Sequence, residues 1–427
     1  MSSTYYEKLD EHLFRRVLPN GLRVMVVPKP GFGRKSAYFV TDFGSIHRKF
    51  TLDGVDYDTP AGVAHFLEHK MFDLPGRDVS AEFSTLGAAV NAFTSYDLTA
   101  YYFSCTESFY EALRLLLEFV STPYFTEESV QKEQGIIDQE IAMNADDPST
   151  RVFEVLTEAM YRHHPIRTPI LGTEASIRKI SADLLHTCHR AFYTPQNMLL
   201  CVMGDVDCEE VCRIARSVLG DEPKAGAVKA PYPEETLTCP EEMRQLSMDI
   251  PMPTFYLGFK CPPVPMGERG IRQEIIGDLA AEVLLGEASE LYLKLYEEGL
   301  IDSSFGGGFE VSDGCALLTC GGDSDDALAV RDAILAQAKK IVETGVDRQE
   351  FLRLKRSAMG RRIRDLDSFS STCFRLCAYA CSDFDYFDFP SIYETVTPED
   401  VRVFLAEHIR FENCAISVIQ PIKEETI

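Results

Sequence analysis

Residues 181–207 read "SADLLHTCHRAFYTPQNMLLCVMGDVD" and residues 397–421 read "TPEDVRVFLAEHIRFENCAISVIQP". Each reads as a helix, breaks at a polar turn and ends in an apolar strand. The segments before them match as well. In the first half, the alternating run "LTAYYFSC" (98–105) leads into the helical patterns "SFYEALRLLLEFVSTPYF" and "TEESVQKEQGIIDQEI". In the second half, "CALLTCGG" (315–322) leads into "DDALAVRDAILAQAKKIVETG" and "VDRQEFLRLKRSAMGRRI". The repeated order predicts a duplicated α+β unit: two homologous domains, each an antiparallel-rich sheet with helices packed on one face.

The stretch "DEPKAGAVKAPYPEETLTCP" (221–240) has four prolines and no apolar periodicity, which marks a linker. The expected division is therefore an N-terminal domain over residues 1–220, a linker over 221–240 and a C-terminal domain over 241–427. Both domains fall in the usual size range.

Of the 427 residues, 45% are hydrophobic and 26% charged, enough to build a full core. No apolar run reaches the ~18 residues that a membrane span needs, and the polar first twenty residues lack the apolar core of a secretory signal. Thirteen cysteines, an odd number without a CxxC pair, point to a reducing, cytoplasmic compartment, with a bacterial source expected. Cys373, Cys377 and Cys381 read as a small-residue stripe on a buried helix face. The net charge of −25 argues against nucleic acid and anionic membranes as partners. It could favour basic peptides, but the simpler reading is solubility.

Within "TPAGVAHFLEHKMF" (59–72), Thr59 can cap a helix and Pro60 suits its first turn. His65 and His69 are four apart on that helix and share a face, with Glu68 close to it. Two imidazoles so placed can point at one zinc ion, and a carboxylate beside them can take a proton from a water. The HxxEH order is an inverted zincin signature. A third ligand is available: Glu133 and Glu140 lie two turns apart in "KEQGIIDQEI", and Glu140 sits among core-facing residues, where an unpartnered carboxylate would be costly. His163 and His164 read as ordinary histidines, and His186 and His189 as helix-surface residues.

The sequence resembles the M16 family of zinc peptidases, the insulinase, pitrilysin and mitochondrial processing peptidase group. The likeness rests on "HFLEHKMF" (65–72), "GAAVNAFTSYDLTAYYF" (87–103), "EQGIIDQEI" (133–141) and "FYTPQNMLLCVMGDVD" (192–207). "HFLEHKMF" and "TDFGS" (41–45) liken it most to bacterial members. The resemblance implies that His65, His69 and Glu140 hold one zinc ion per chain and that Glu68 is the general base. Glu133 would support the site as a second functional carboxylate. Asn91, Ala92, Phe93 and Thr94 would form the edge strand on which a peptide substrate aligns by main-chain hydrogen bonds.

In one segment the sequence departs from the family pattern. The family's active members carry an arginine and a tyrosine in a C-terminal segment like "LREKxGLxY". Here "LKLYEEGLID" (293–302) places Tyr296 and Asp302 near those positions, and neither role carries over. The second half also lacks HxxEH, and a rough register sets Arg361 opposite Glu140. The implied enzyme is a zinc endopeptidase subunit that needs a homologous partner to supply the Arg/Tyr pair. A non-catalytic peptide-binding or scaffolding subunit is the alternative.

Overall fold

The computed structural model describes residues 2–422. Two compact units account for the chain. The first comprises Met1–Ile141, Pro169–Pro231 and Arg362–Asp388; the second comprises Ala142–Thr168, Tyr232–Arg361 and Phe389–Ile427.

The first unit is built on a seven-stranded sheet in the order Ser2–Tyr6, Glu11–Val17, Arg23–Pro28, Met198–Gly204, Lys35–Thr41, Thr99–Cys105 and Ala89–Thr94. Only the Arg23–Pro28 and Met198–Gly204 pair is parallel. The second unit repeats the last five positions with Met243–Met248, Cys414–Pro421, Thr254–Cys261, Cys315–Asp323 and Gly306–Ser312. Its one parallel pair is the equivalent one, Met243–Met248 with Cys414–Pro421. The helix-turn-strand repeat appears as expected: the Ala182–Phe192 helix feeds Met198–Gly204, and the Pro398–His408 helix feeds Cys414–Pro421. Ser181 and Thr397 cap these helices through their side chains.

Strand alternation sets the two faces of each sheet. In Lys35–Thr41, Ala37 and Phe39 face the main core with Val63, Phe66, Leu67, Leu113, Leu116 and Leu185. Tyr38 faces the other way, and its hydroxyl lies 2.7 Å from Ser370 Oγ on the Phe369–Cys381 helix. Cys201 shares that second face with Cys373 and Cys377, all three buried thiols. In the second unit the Pro148–Met160 helix takes the corresponding place. Ser417 Oγ donates to Val152 O at 2.5 Å, and a Cβ on Gly258 would meet Met160 Sδ at 2.6 Å. Each sheet thus carries a further helix on its second face.

These two helices make the compact units differ from a cut at residues 221–240. Pro148–Met160 precedes that stretch and packs in the second unit, whereas Phe369–Cys381 follows it and packs in the first. The 221–240 segment itself contributes a short strand, Val228–Lys229, that pairs with Lys49–Leu52.

Candidate metal centre

The HxxEH segment forms a nine-residue helix, Val63–Met71. So short a helix is not stable in isolation. Val63, Ala64, Phe66, Leu67 and Met71 bury it in the core, the larger ones contributing ~1.5–3 kcal/mol each. Their spacing leaves His65, Glu68 and His69 on the opposite stripe.

The helix does not begin at the expected cap. Thr59 is buried, and its hydroxyl and amide both donate to Arg48 O. The cap is Gly62 at φ +90°, without a side-chain bond. A Cβ there would sit 2.3 Å from Leu171 O, so close backbone approach as well as the left-handed turn demands glycine.

The third candidate ligand, Glu140, comes from the Glu127–Ala145 helix. Glu140 Oε1 lies 3.6 Å from His65 Nε2, and Glu140 Oε2 lies 3.6 Å from His69 Nε2. These separations are too long for hydrogen bonds. Donors at zinc bond lengths of roughly 2.0–2.2 Å, in a tetrahedron, would stand roughly 3.3–3.6 Å apart. One ligand atom from each of His65, His69 and Glu140 falls within 4.8 Å of the others. Two imidazole nitrogens and a carboxylate oxygen therefore fit zinc in both chemistry and spacing.

Each remaining polar group of the cluster has a distinct place. Glu133 Oε1 lies 3.0 Å from His69 Nδ1, which fixes the tautomer that frees Nε2 for a metal. Glu68 is 8% exposed and lies outside the ligand set. Its Oε2 accepts a 2.8 Å hydrogen bond from Thr94 Oγ1. Behind it, Thr99 Oγ1 donates to Phe43 O at 2.8 Å and approaches Thr94 Oγ1 at 3.3 Å. His65 is 6% exposed, and its Nδ1 is buried without a hydrogen-bond partner among the described residues.

Burial and charge act in opposite directions on these groups. Burial, helped by the neighbouring His69, pushes the His65 imidazole down to about 3. Burial also opposes charge on His69, but the Glu133 hydrogen bond and the Glu68, Glu133 and Glu140 carboxylates outweigh it and raise its pKa. Burial raises the Glu68 carboxyl against the Thr94 bond and His69. A neutral His65 and a base of raised affinity for a proton suit metal ligation and proton transfer, respectively.

Asn91, Ala92, Phe93 and Thr94 lie on Ala89–Thr94, the edge strand of the first sheet. Asn91 pairs with Tyr102, Ala92 with Tyr101, Phe93 with Ala100 and Thr94 with Thr99. Asn91 Oδ1 accepts the Ala92 N–H at 2.9 Å. Thr94, expected only as part of this strand, also orients Glu68. No sequence signal links the two, because they are 26 positions apart on different elements.

The other expectations resolve within their own units. His189 is buried rather than on the helix surface, with Nε2 3.1 Å from Val120 O, and burial holds it down to about 4. His164 is buried with Nε2 3.1 Å from Asp313 O. His163 is exposed, and its backbone N–H donates to Glu235 Oε1. His186 is exposed. In the second unit Tyr296 is exposed and stacked on Tyr292, and the Asp302 carboxylate caps Ser304 N at 2.8 Å. Neither supplies a cation or a buried donor.

Known proteins resemble this chain along most of its length. Residues 54–174 match the Insulinase (Peptidase family M16) family, and residues 179–358 match the Peptidase M16 inactive domain. The chain is 35% identical over 421 residues to the uncharacterized zinc protease YmfH of Bacillus subtilis (strain 168), covering 97% of this chain and 98% of that one. It also resembles the crystal structure of an M16-like peptidase from Alicyclobacillus acidocaldarius: TM-score 0.93, 32% identity, 98% of this chain and 100% of the other. A peptidase M16 inactive domain structure from Pseudomonas fluorescens shares the fold at TM-score 0.80 and 17% identity, covering 97% of this chain and 99% of that one. On these matches, and with this fold, the chain belongs to the M16 peptidase family.

Proposed function

We propose that the chain is a zinc-dependent endopeptidase subunit. The observation that carries this reading is the convergence of His65, His69 and Glu140 beside a buried carboxylate, Glu68, that does not join the ligand set. Zinc bound there would acidify a water and polarise a peptide carbonyl. Glu68, held at Oε2 by Thr94, takes one proton from the attacking water at its other oxygen, Oε1. As the water oxygen bonds to the carbonyl carbon and the C–N bond breaks, Glu68 passes that proton to the leaving nitrogen. Glu133 holds His69 in register. The Ala89–Thr94 edge aligns an extended peptide through main-chain hydrogen bonds, so recognition depends little on side chains.

The carbonyl oxygen also needs donors, and neither Tyr296 nor Asp302 is suited to the task. A homologous partner that carries an Arg/Tyr pair would supply them. Loss of such a donor costs roughly 3–4 kcal/mol of barrier, so the isolated chain should be nearly inactive. The thirteen free cysteines suit a cytoplasmic setting. No helix among the described residues is long and apolar enough to cross a membrane.

The direct test is Glu68→Gln, assayed with the homologous partner present. The variant should keep its zinc and lose cleavage; undiminished cleavage would discard the mechanism. The missing Arg/Tyr pair favours a second reading, a non-catalytic peptide-binding subunit. Metal content distinguishes the two, because that role needs no zinc.

A further inference from the structure

The Arg348–Arg364 helix of the second unit runs against the charge of the whole chain. Its 17 residues hold seven cations and one acid, in a protein where 67 acidic residues outnumber 42 basic ones. Part of that charge is used internally. Lys355 Nζ donates to Val396 O at 2.8 Å, and Arg361 pairs with Glu282 and Ser357. Another part faces outward: the Arg353 side chain is 65% exposed, and among the described residues its one ion pair is with Glu350 of its own helix, at 3.5 Å. Arg356 is exposed, with no carboxylate in ion-pair reach among the described residues. Helical spacing puts Arg353, Arg356 and Gly360 on one face, beside the exposed Leu352. A Cβ on Gly360 would meet nothing within 4 Å, so the helix backbone is open to a neighbour there.

This face costs the isolated helix stability. Like charges three apart repel, and Arg348 in the first turn opposes the helix dipole. Local rules are broken in this way where a site needs it.

We infer that the exposed Arg353–Arg356–Gly360 face of this helix binds an acidic stretch of an extended peptide. Side chains three apart on a helix stand roughly 5–6 Å apart at Cβ. Alternate residues of an extended strand stand roughly 6.6–6.8 Å apart and point the same way. A peptide with carboxylates at every second position therefore sets one against each arginine, and Gly360 admits its backbone. The net charge of −25 repels the dense phosphates of nucleic acid far more than a short peptide with two or three carboxylates. The inference rests on the peptidase reading and adds the chemical character of the peptide, but it is tested by binding alone.

The test uses the full Glu68→Gln chain and two fluorescein-labelled peptides, one with Glu at three alternate positions and one with Gln there. Fluorescence anisotropy at low salt should show the Glu peptide binding about tenfold more tightly, with a preference that shrinks as salt screens the charges. Arg353→Gln/Arg356→Gln should abolish the preference and leave the Gln peptide's affinity unchanged, and Arg353→Glu/Arg356→Glu should reverse it. Equal affinity for both peptides, or a preference that survives the Gln variant, overturns the inference. So does displacement of the Glu peptide by an equal concentration of a single-stranded oligonucleotide, or a self-association in sedimentation that only the arginine variants lose. A chain that prefers the Glu peptide yet cleaves nothing with any partner would leave this surface standing and remove the peptidase reading.

Discussion

The Glu127–Ala145 helix of the first unit and the Arg348–Arg364 helix of the second are copies of one design with opposite chemistry. A shift of 221 positions sets the capping residue Thr126 on Asp347, each of which accepts from the N–H three residues on. The same shift sets buried Val130 on buried Phe351 and buried Ile137 on buried Ala358. It also sets Glu133 on Leu354 and Glu140 on Arg361. The caps and core contacts that hold the helix have been kept, while the two carboxylates that reach the metal centre have become a leucine and an arginine. Arg361 pairs with Glu282, and no group of metal-binding residues occurs in the second unit among the described residues. The scaffold is therefore indifferent to the chemistry. A handful of side chains decides whether a unit presents a candidate ligand set.

The largest effect should come from removing a ligand on the metal-bearing side. His65→Ala, His69→Ala or Glu140→Gln should reduce zinc, measured by plasma emission spectroscopy, from one per chain toward none and abolish cleavage with it. Chelation of the native chain should do the same, reversibly. Glu68→Gln should separate the two properties, keeping the zinc while cleavage falls by about 10²- to 10⁴-fold. Glu133→Gln should weaken zinc binding by about 10- to 100-fold, because His69 loses the acceptor that fixes its ring. Thr94→Val should reduce kcat by about five- to tenfold through a misplaced Glu68, as loss of one hydrogen bond would. Thr94→Ser should restore it. On the other side of the comparison, Arg361→Glu should leave zinc at one per chain; a second equivalent would mean that the second unit is a latent metal site.

Acid tests a property the two units share. His189 in the first and His164 in the second are both held down to about 4 by burial. A depressed imidazole favours the folded state fully above its unfolded value of about 6.5, and that stability is lost as pH falls toward 4. Thermal denaturation of the metal-free chain should show melting temperature falling over this window, by up to roughly 3 kcal/mol of stability for each histidine. His189→Asn should flatten the part of the slope that belongs to the first unit.

Much of this was legible in the residues. The repeated helix-turn-strand order states the duplication, because periodicity and turn are local signals. The HxxEH spacing brings two imidazoles and a carboxylate together, because one helical turn fixes their relation. Glu140 reads as a carboxylate among core-facing residues, yet its side chain is 38% exposed and Ile136 is exposed too, so burial is the wrong ground for choosing it and the family resemblance the better one. What could not be read depends on distant contacts. Nothing local says that Pro148–Met160 packs on one sheet and Phe369–Cys381 on the other. Thr59 looks like a cap, but its hydroxyl and amide both donate to Arg48 O and the helix starts only after Gly62. Thr94 meets Glu68 only through the packing of an edge strand on a helix, and the buried His189 meets the carbonyl of Val120, 69 positions away.

The central claim is that His65, His69 and Glu140 bind one ion together. Zinc K-edge absorption on the purified Glu68→Gln chain tests it most directly. The spectrum should show one zinc with two imidazole nitrogens and a carboxylate oxygen at about 2.0–2.2 Å, and Glu140→Gln should lose it. A spectrum dominated by sulfur at about 2.3 Å, or one unchanged by Glu140→Gln, would contradict it.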